Sequence, residues 1–434
     1  MMKRFIKVLT LLVAFIPVVL MSYGGCNESR GGDGVIAGGE NAFSPVVLSV
    51  LAPPIPVKGS DGLYHLVYEL FLTNSNFVEW EVLKVEMLNG GPDGEVLHTI
   101  TPEEIQDKMN LSGTRQPTNS LVPAQSGLVF MTFPVENEQD IPKSIIHRLT
   151  ITVPGGLPDR VVELLQLPEG QENITEIGAP VDIGSDNAVV LGPPLEGPGW
   201  VAVNGCCDSI THIRSDLPIN GKIFISQRFA IDWIKVNEDN RLFMGDPQNL
   251  DNWFGYNQNV LAVADAQVVT VVDKFPDQTP FILPTDIGAI TLEEIDGNHV
   301  VLALPNGQFV FYAHLKPGSI TVKEGDFVSR GDVIGLLGNT GNSGAPHMHI
   351  HVMEAPSTLG SNGLPYTFSE YNLMGRTTEE SFFERGLEDT TPFIDEETGL
   401  IEGNAIDVLP VGMTGEHIED LPLGLRILEF SEIF

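Results

Sequence analysis

Glycine and proline cut this chain into short pieces. With 45 Gly and 31 Pro among 434 residues, few stretches run long enough without a breaker to build a helical bundle or coiled coil. Between the breaks the pattern is β-type: VVLSVL at 46–51, YHLVYELFLT at 64–73, EWEVLKVEML at 79–88, GLVFMTF at 127–133 and HRLTITV at 147–153. Aromatic and β-branched residues alternate with polar ones in these runs. Gly-Gly-Pro-Asp-Gly at 90–94 is a turn signal after the third. About seven such strands over about 130 residues point to an antiparallel β-sandwich of immunoglobulin-like type. One short helix is expected in TPEEIQDKMN at 101–110, with Thr101 as its N-cap. The expectation is an all-β chain, an N-terminal sandwich followed by a second antiparallel sheet domain. The 42% of hydrophobic residues is ample for a core in each of two or three domains.

The chain opens with MMKRFIKVLTLLVAFIPVVLMSYGGC. Lys3, Arg4 and Lys7 precede an almost wholly apolar stretch at 8–21, too short to span a bilayer comfortably, so residues 1–25 read as a signal peptide. Gly24 and Gly25 lead into Cys26, which resembles a bacterial lipoprotein processing site, with Tyr23 where that pattern prefers Leu. Export across the cytoplasmic membrane to the cell envelope is expected, either with lipidation of Cys26 or by ordinary secretion or a retained anchor. A signal peptide or lipid anchor would be the chain's one link to a membrane. Residues 26–45 form a Gly- and Ser-rich tether, 46–185 the sandwich, and 186–219 a linker and loop that includes GPPLEGPGW at 192–200. A second β domain follows at 220–355, where Pro305-Asn306-Gly307 marks a hairpin, then a loop-rich extension at 356–434 closing in the strand-like LPLGLRILEF.

Charge narrows the function. Lys and Arg number 23 against 58 Asp and Glu, a formal net charge of -35. Nucleic-acid binding, which needs clustered cations, is excluded. No phosphate-cradling glycine motif lies between a strand and a helix. The negative field would instead attract metal cations or basic groups on a polymer. Cys206 and Cys207 are adjacent. Consecutive Cα atoms ~3.8 Å apart fall below the ~4.4–6.8 Å of ordinary disulfides, so thiols in a tight turn are expected.

The chemistry concentrates in PHMHIHV, where His347, His349 and His351 alternate. On a strand such residues share a face, and neutral imidazoles on one face suit a metal or an acid–base site. YAHLK at 312–316, QRFAIDW at 227–233 and VLAVADAQVV at 260–269 lie upstream, and GNTGNSGAPHMHIHV follows at 338–352. In order and spacing these segments resemble the LytM/lysostaphin-like zinc metallopeptidases, which cut peptide cross-links in bacterial cell walls. The resemblance covers residues 220–355 and implies a compact antiparallel β core with an open groove, one zinc ion, and peptidoglycan or another peptide as substrate. It carries metal-ligand roles to Asp232 and His349. His314 and His347 take the roles of the two catalytic histidines flanking the metal-bound water.

The family's His-x-x-x-Asp pair departs here, because Arg228 stands where the first ligand is expected. A guanidinium offers no lone pair to zinc. It could pair with Asp232 and fill the metal seat electrostatically. Alternatively His212, in NGCCDSITHIRSD before the ligand strand, or His351 on the same face as His349, could replace the missing ligand. Two functions stay open: a zinc metallo-endopeptidase, and an inactive LytM-like domain that binds cell-wall peptide or regulates a partner hydrolase. His299 is expected to be a strand residue, Trp200, Trp233 and Trp253 to pack in the core, and His65, His98 and His147 to stand apart. The sandwich carries no acid, base and nucleophile set; it is expected to be a positioning or partner-binding module, leaving 190–434 able to fold alone.

Overall fold

Two long strands, Tyr64–Asn74 and Ser126–Val135, run antiparallel from Tyr64 opposite Val135 to Thr73 opposite Ser126. They form the centre of a five-stranded sheet in a computed structural model that describes residues 43–185, 187–208, 211–282, 291–388, 393–394 and 401–431. The signal-peptide, tether and Cys26 expectations fall largely or wholly outside the described residues. A second five-stranded sheet carries Trp80–Asn89 and Ser144–Thr152 at its centre. The sheets close on one core that includes Tyr68, Leu70, Met87, Val129 and Leu149. This is the expected antiparallel sandwich. The expected helix is present at Pro102–Lys108, and the Thr101 N–H donates to the Glu104 carboxylate at 2.9 Å, half of a capping box.

Alternation on these two strands has a second effect. Tyr68 and Leu70 point into the sandwich, while Val67 and Glu69 point the other way; Val129 and Met131 alternate with Leu128 and Phe130 in the same manner. Val67, Leu128 and Phe130 join the core of the following domain, with Trp200, Trp233 and Ile350. These two central strands are thus buried on both faces. Residues 190–434 would lose this cover if cut free, so independent folding of that fragment does not fit the packing.

The rest is built on an eleven-stranded sheet whose pairings are all antiparallel. Its middle runs Phe309–Ala313, Met348–Met353, Ile231–Lys235, Gly197–Val203 and Arg426–Phe430 as successive neighbours. The hairpin at Asn306-Gly307 joins His299–Ala303 to Phe309–Ala313, and Arg426–Phe430 is the expected closing strand. Gly197–Val203 corrects the linker reading of 186–219, since it lies inside the sheet. Its one proline fits because the register slips between Gly197 and Trp200, and a bulge spares Pro198 a ladder bond. Gly199 makes that bulge possible: its φ is +85°, and a Cβ there would sit 2.4 Å from the Val236 carbonyl oxygen.

Trp200, Trp233 and Trp253 are all core residues, at most 3% exposed. Cys206 and Cys207 correct another expectation, for they form a disulfide; the spacing argument assumed a trans peptide, and the bond between them is cis. Among the described residues no helix is long and apolar enough to cross a membrane.

Candidate metal centre

Sheet register gathers the site. Asp232 lies directly across from His349, and His349 directly across from Ala313 on its other side. His314 therefore falls where its strand ends. Val203 faces Asp232 from the remaining neighbour, which brings Asn204 to the same edge. His349 Nδ1 is 2.8 Å from Asp232 Oδ1, and Asn204 Nδ2 donates to Asp232 Oδ2 at 2.7 Å.

The loop after Asn204 supplies a further imidazole: His212 Nε2 is 3.2 Å from Asp232 Oδ2. Donor atoms of His212, Asp232 and His349 all lie within 4.8 Å of one another, and all three residues are buried. Bonds of about 2.1 Å to a tetrahedral ion put ligand atoms about 3.4 Å apart, close to the Asp232 separations found here. His212 Nδ1–H donates to the Ala230 carbonyl at 3.1 Å, which fixes the ring and leaves Nε2, turned to Asp232, as the atom that could ligate a cation once its proton is displaced.

Arg228 does not pair with Asp232. Its Nε and Nη2 donate to the two Glu69 oxygens at 2.9 and 2.6 Å, and Nη1 donates to the Gly363 carbonyl at 3.0 Å. A carboxylate from the sandwich matches the planar fork bidentately and draws it out of the site. His351 stands behind His349, its Nδ1 2.8 Å from His349 Nε2, and lies outside the cluster of three donors.

His314 and His347 form a second pair, with ring centroids 4.6 Å apart. His314 Nδ1–H donates to the Thr340 carbonyl at 2.7 Å, and His347 Nδ1–H to the Ala345 carbonyl at 2.7 Å with Ser343 Oγ at 3.1 Å. Each ring thus keeps Nε2 for the site, that of His347 being 3.6 Å from Asp232 Oδ1. Two close approaches hold this geometry. Thr340 Oγ1 accepts from the Asn298 N–H at 2.8 Å and donates to the Leu315 carbonyl at 3.0 Å, while a Cβ on Gly341 would meet Gly297 N at 2.5 Å. His314 itself has φ +62°, a left-handed conformation that a non-glycine residue adopts at some cost.

Electrostatics separate the groups. Burial pushes the Asp232 carboxyl up, but the charges of His212 and His347 and hydrogen bonds from His212 and His349 outweigh it and hold it well below its usual value. Burial lowers His212 as well, yet the Asp232 carboxylate more than offsets this and raises it. His314 is pushed well below the usual imidazole value, first by burial and then by His347 and His349. His349 is lowered chiefly by burial, partly opposed by Asp232. A buried, ionised carboxylate ringed by imidazoles is a cation-binding arrangement.

Of the other histidines, His299 opens a strand, with Nδ1 2.9 Å from the Gly297 carbonyl, as expected. His65, His98 and His147 sit on sandwich strands. Sequence reasoning missed Asn204 and Glu69, for which no motif exists. Thr340 and Ser343 could have been found, because both lie in the GNTGNSG turn before the histidines.

Residues 250–361 match the model of peptidase family M23. This segment is an M23 peptidase domain. The match includes His314, His347 and His349, and leaves out Asp232, Arg228 and His212. A curated relative, the peptidoglycan DD-endopeptidase ShyA of Vibrio cholerae, is 46% identical over 57 residues, 13% of this chain and 13% of that protein. Among solved structures, the catalytic domain of lysostaphin from Staphylococcus simulans shares 21% identity at a TM-score of 0.20, over 38% of this chain and 86% of that one. A zinc-containing peptidase from Vibrio cholerae shares 14% identity at a TM-score of 0.21, over 67% of this chain and 78% of that one.

Proposed function

We propose that this chain is a secreted or lipid-anchored zinc metallo-endopeptidase that cleaves peptide cross-links in bacterial peptidoglycan. One observation carries the reading: donor atoms of His212, Asp232 and His349 lie within 4.8 Å of one another beside the His314 and His347 pair. Two imidazoles and a carboxylate make a donor set that suits zinc with a position left for water. Arg228, the residue that speaks for the inactive alternative, has its charge matched by Glu69 outside the cluster. The short likeness to a peptidoglycan endopeptidase and the net charge of -35, which would attract the basic groups of a wall polymer, support the substrate class.

His212 Nε2, Asp232 and His349 would hold the ion. When bound, zinc would polarise the scissile carbonyl and lower the pKa of its water toward about 7. His314, kept neutral by burial and with Nδ1–H committed to Thr340, offers Nε2 as the base that takes the proton of the attacking water. The same atom then delivers that proton to the leaving amine. His347, held in place by Ala345 and by Asp232 nearby, turns Nε2 toward the developing oxyanion, which it would stabilise through a proton on that atom.

The test is digestion of purified peptidoglycan by the zinc-loaded protein. New amino groups from opened cross-links are expected, with one zinc per chain, and both should vanish in Asp232→Ala. A folded protein that takes up no zinc under zinc-replete conditions, or that holds the wall without opening it, overturns the enzyme reading.

A further inference from the structure

The loop that presents His212 is tied down from outside the M23 domain. On its near side, Lys108 pairs with Asp208, and Thr132 Oγ1 donates to the Cys207 carbonyl at 2.7 Å. Beyond His212, Arg115 Nε donates to Asp216 Oδ1 at 3.2 Å, Arg115 Nη2 to the Asp216 carbonyl at 2.7 Å, and the Gly113 N–H to Asp216 Oδ2 at 3.3 Å. The Arg214 guanidinium lies 5.7 Å from the Phe130 ring centroid. Every one of these partners belongs to the sandwich.

We propose that the N-terminal sandwich is a positioning element of the metal centre, acting through Arg115 and Lys108 on the loop that carries His212. The inference rests on the reading of His212 as a ligand. Its force lies in an asymmetry. Asp232 and His349 are set by the register of neighbouring strands, and beyond each other their side chains meet Asn204, His212, His347 and His351, all outside the sandwich. His212 belongs to no strand; its ring is held from its own side by the Ala230 carbonyl at 3.1 Å and by Asp232 at 3.2 Å, and the backbone on either side of it by the sandwich contacts above.

Asp216 is the stronger anchor. Its carboxylate is only 3% exposed, and a buried carboxylate is costly unless donors meet it. The donors named above both come from one tight turn of the sandwich. There Arg115 N–H donates to the Leu111 carbonyl at 2.9 Å, and Gly113 and Arg115 both have positive φ. A turn so closed delivers its donors at a fixed spacing. Without Arg115 the Asp216 carboxylate must turn toward water, and the stretch Ser215–Asp216 would carry His212 with it; Ser215 N–H is bonded to the His212 carbonyl at 3.2 Å.

The experiment is a zinc titration of the full chain against a competing chelator, with cobalt(II) substitution to report the ligand set through its visible bands. Arg115→Ala should weaken zinc by several-fold, less than the ~10–100-fold that loss of a direct hydrogen-bond partner of a ligand costs, and should shift the cobalt bands. Arg115→Lys should recover part of the loss. Lys108→Ala, a milder change, should act in the same direction. Arg148→Ala breaks the Arg148–Glu86 pair inside the sandwich, at 2.8 Å, and should leave zinc affinity as it was. Wild-type zinc affinity and cobalt bands in both Arg115→Ala and Lys108→Ala, beside a His212→Ala protein that has lost its metal, would overturn the positioning role alone. Wild-type zinc binding by His212→Ala would remove the ligand reading first, and this inference with it. Equal weakening by Arg148→Ala would also overturn it, by showing a general loss of stability.

Discussion

Arg228 and Glu69 meet as a bidentate pair at 2.6 and 2.9 Å, with the Arg228 side chain 5% exposed and that of Glu69 fully buried. The arginine stands four residues before Asp232 and the glutamate on a sandwich strand, so the pair links the two halves of the chain. Its role is matching rather than net stabilisation, because both charges have left water.

Removing one partner should therefore cost far more than removing both. Glu69→Ala is expected to destabilise the protein by about 3–5 kcal/mol, since it strands a buried guanidinium. Glu69→Leu with Arg228→Met should recover most of that. Urea unfolding midpoints decide the matter, and a Glu69→Ala protein as stable as wild type would contradict the burial of this pair.

Legibility followed locality. Asp232, His314, His347 and His349 each sit in a short motif on or beside a strand, which is how the family resemblance singled them out, and antiparallel register brings them together. His212 was open only as one of two substitutes. Choosing it over His351 requires the path of a loop, which no periodicity encodes. The partner of Arg228 lies 159 residues away and could not be read at all. The strand Gly197–Val203 was hidden by the prolines in and before it, whose turn signal outweighed a short apolar run. The double burial of Tyr64–Asn74 and Ser126–Val135 was hidden too, because the polar residues interspersed in YHLVYELFLT read as the exposed face of an ordinary half-buried strand.

His147 sets an acid limit on stability. Its Nδ1–H donates to the Ala179 carbonyl at 3.0 Å, and Nε2 accepts from the Tyr68 hydroxyl at 2.9 Å. Burial pushes this imidazole down to about 4 from 6.5, partly opposed by bonds to Ala179 and Gly178. Between those values the unfolded chain binds a proton that the folded chain refuses. Stability is complete above about 6.5 and falls as the pH drops toward about 4, by roughly 3 kcal/mol in all. Burial pushes the Glu176 carboxyl up, to about 7, so its contribution has the opposite sense, present in acid and lost as the pH rises. His147→Asn should flatten the acid limb in a plot of unfolding midpoint against pH. An unchanged slope would exclude His147 as its source.

His351 should tune the metal without touching it. An ionised Asp232 accepts the His349 Nδ1–H, so His349 Nε2 accepts from His351 Nδ1–H at 2.8 Å. A cation held at His349 Nδ1 requires the other tautomer, with Nε2–H donating to His351. An imidazole can serve either need, and His351 Nε2 is buried with no partner to bias the choice. His351→Phe should lower zinc affinity about 10–100-fold, while His351→Gln, whose amide also donates or accepts, should stay within a few-fold of wild type. Matching affinities for the Phe variant and wild type would remove this role.

The sharpest division falls between histidines two residues apart. His349 lies against Asp232 and His212, so His349→Ala should lose both zinc and activity. His314 and His347 keep their Nδ1–H groups on backbone carbonyls and turn Nε2 to the substrate side. Their alanine variants should retain zinc and lose rate by about 10²–10⁴-fold, the range for a general acid or base. In His314→Ala the Thr340 carbonyl loses its imidazole partner, whereas in His347→Ala the Ala345 carbonyl keeps the Ser343 hydroxyl at 3.0 Å, so each variant must first show a wild-type melting curve. Chelation of wild-type protein should abolish activity and added zinc should restore it, whereas zinc should restore nothing to His314→Ala. Because His347 and His349 occupy one short segment, strand damage cannot produce opposite metal contents in their variants. A zinc-free His347→Ala protein beside a zinc-loaded His349→Ala protein would reverse the assignment.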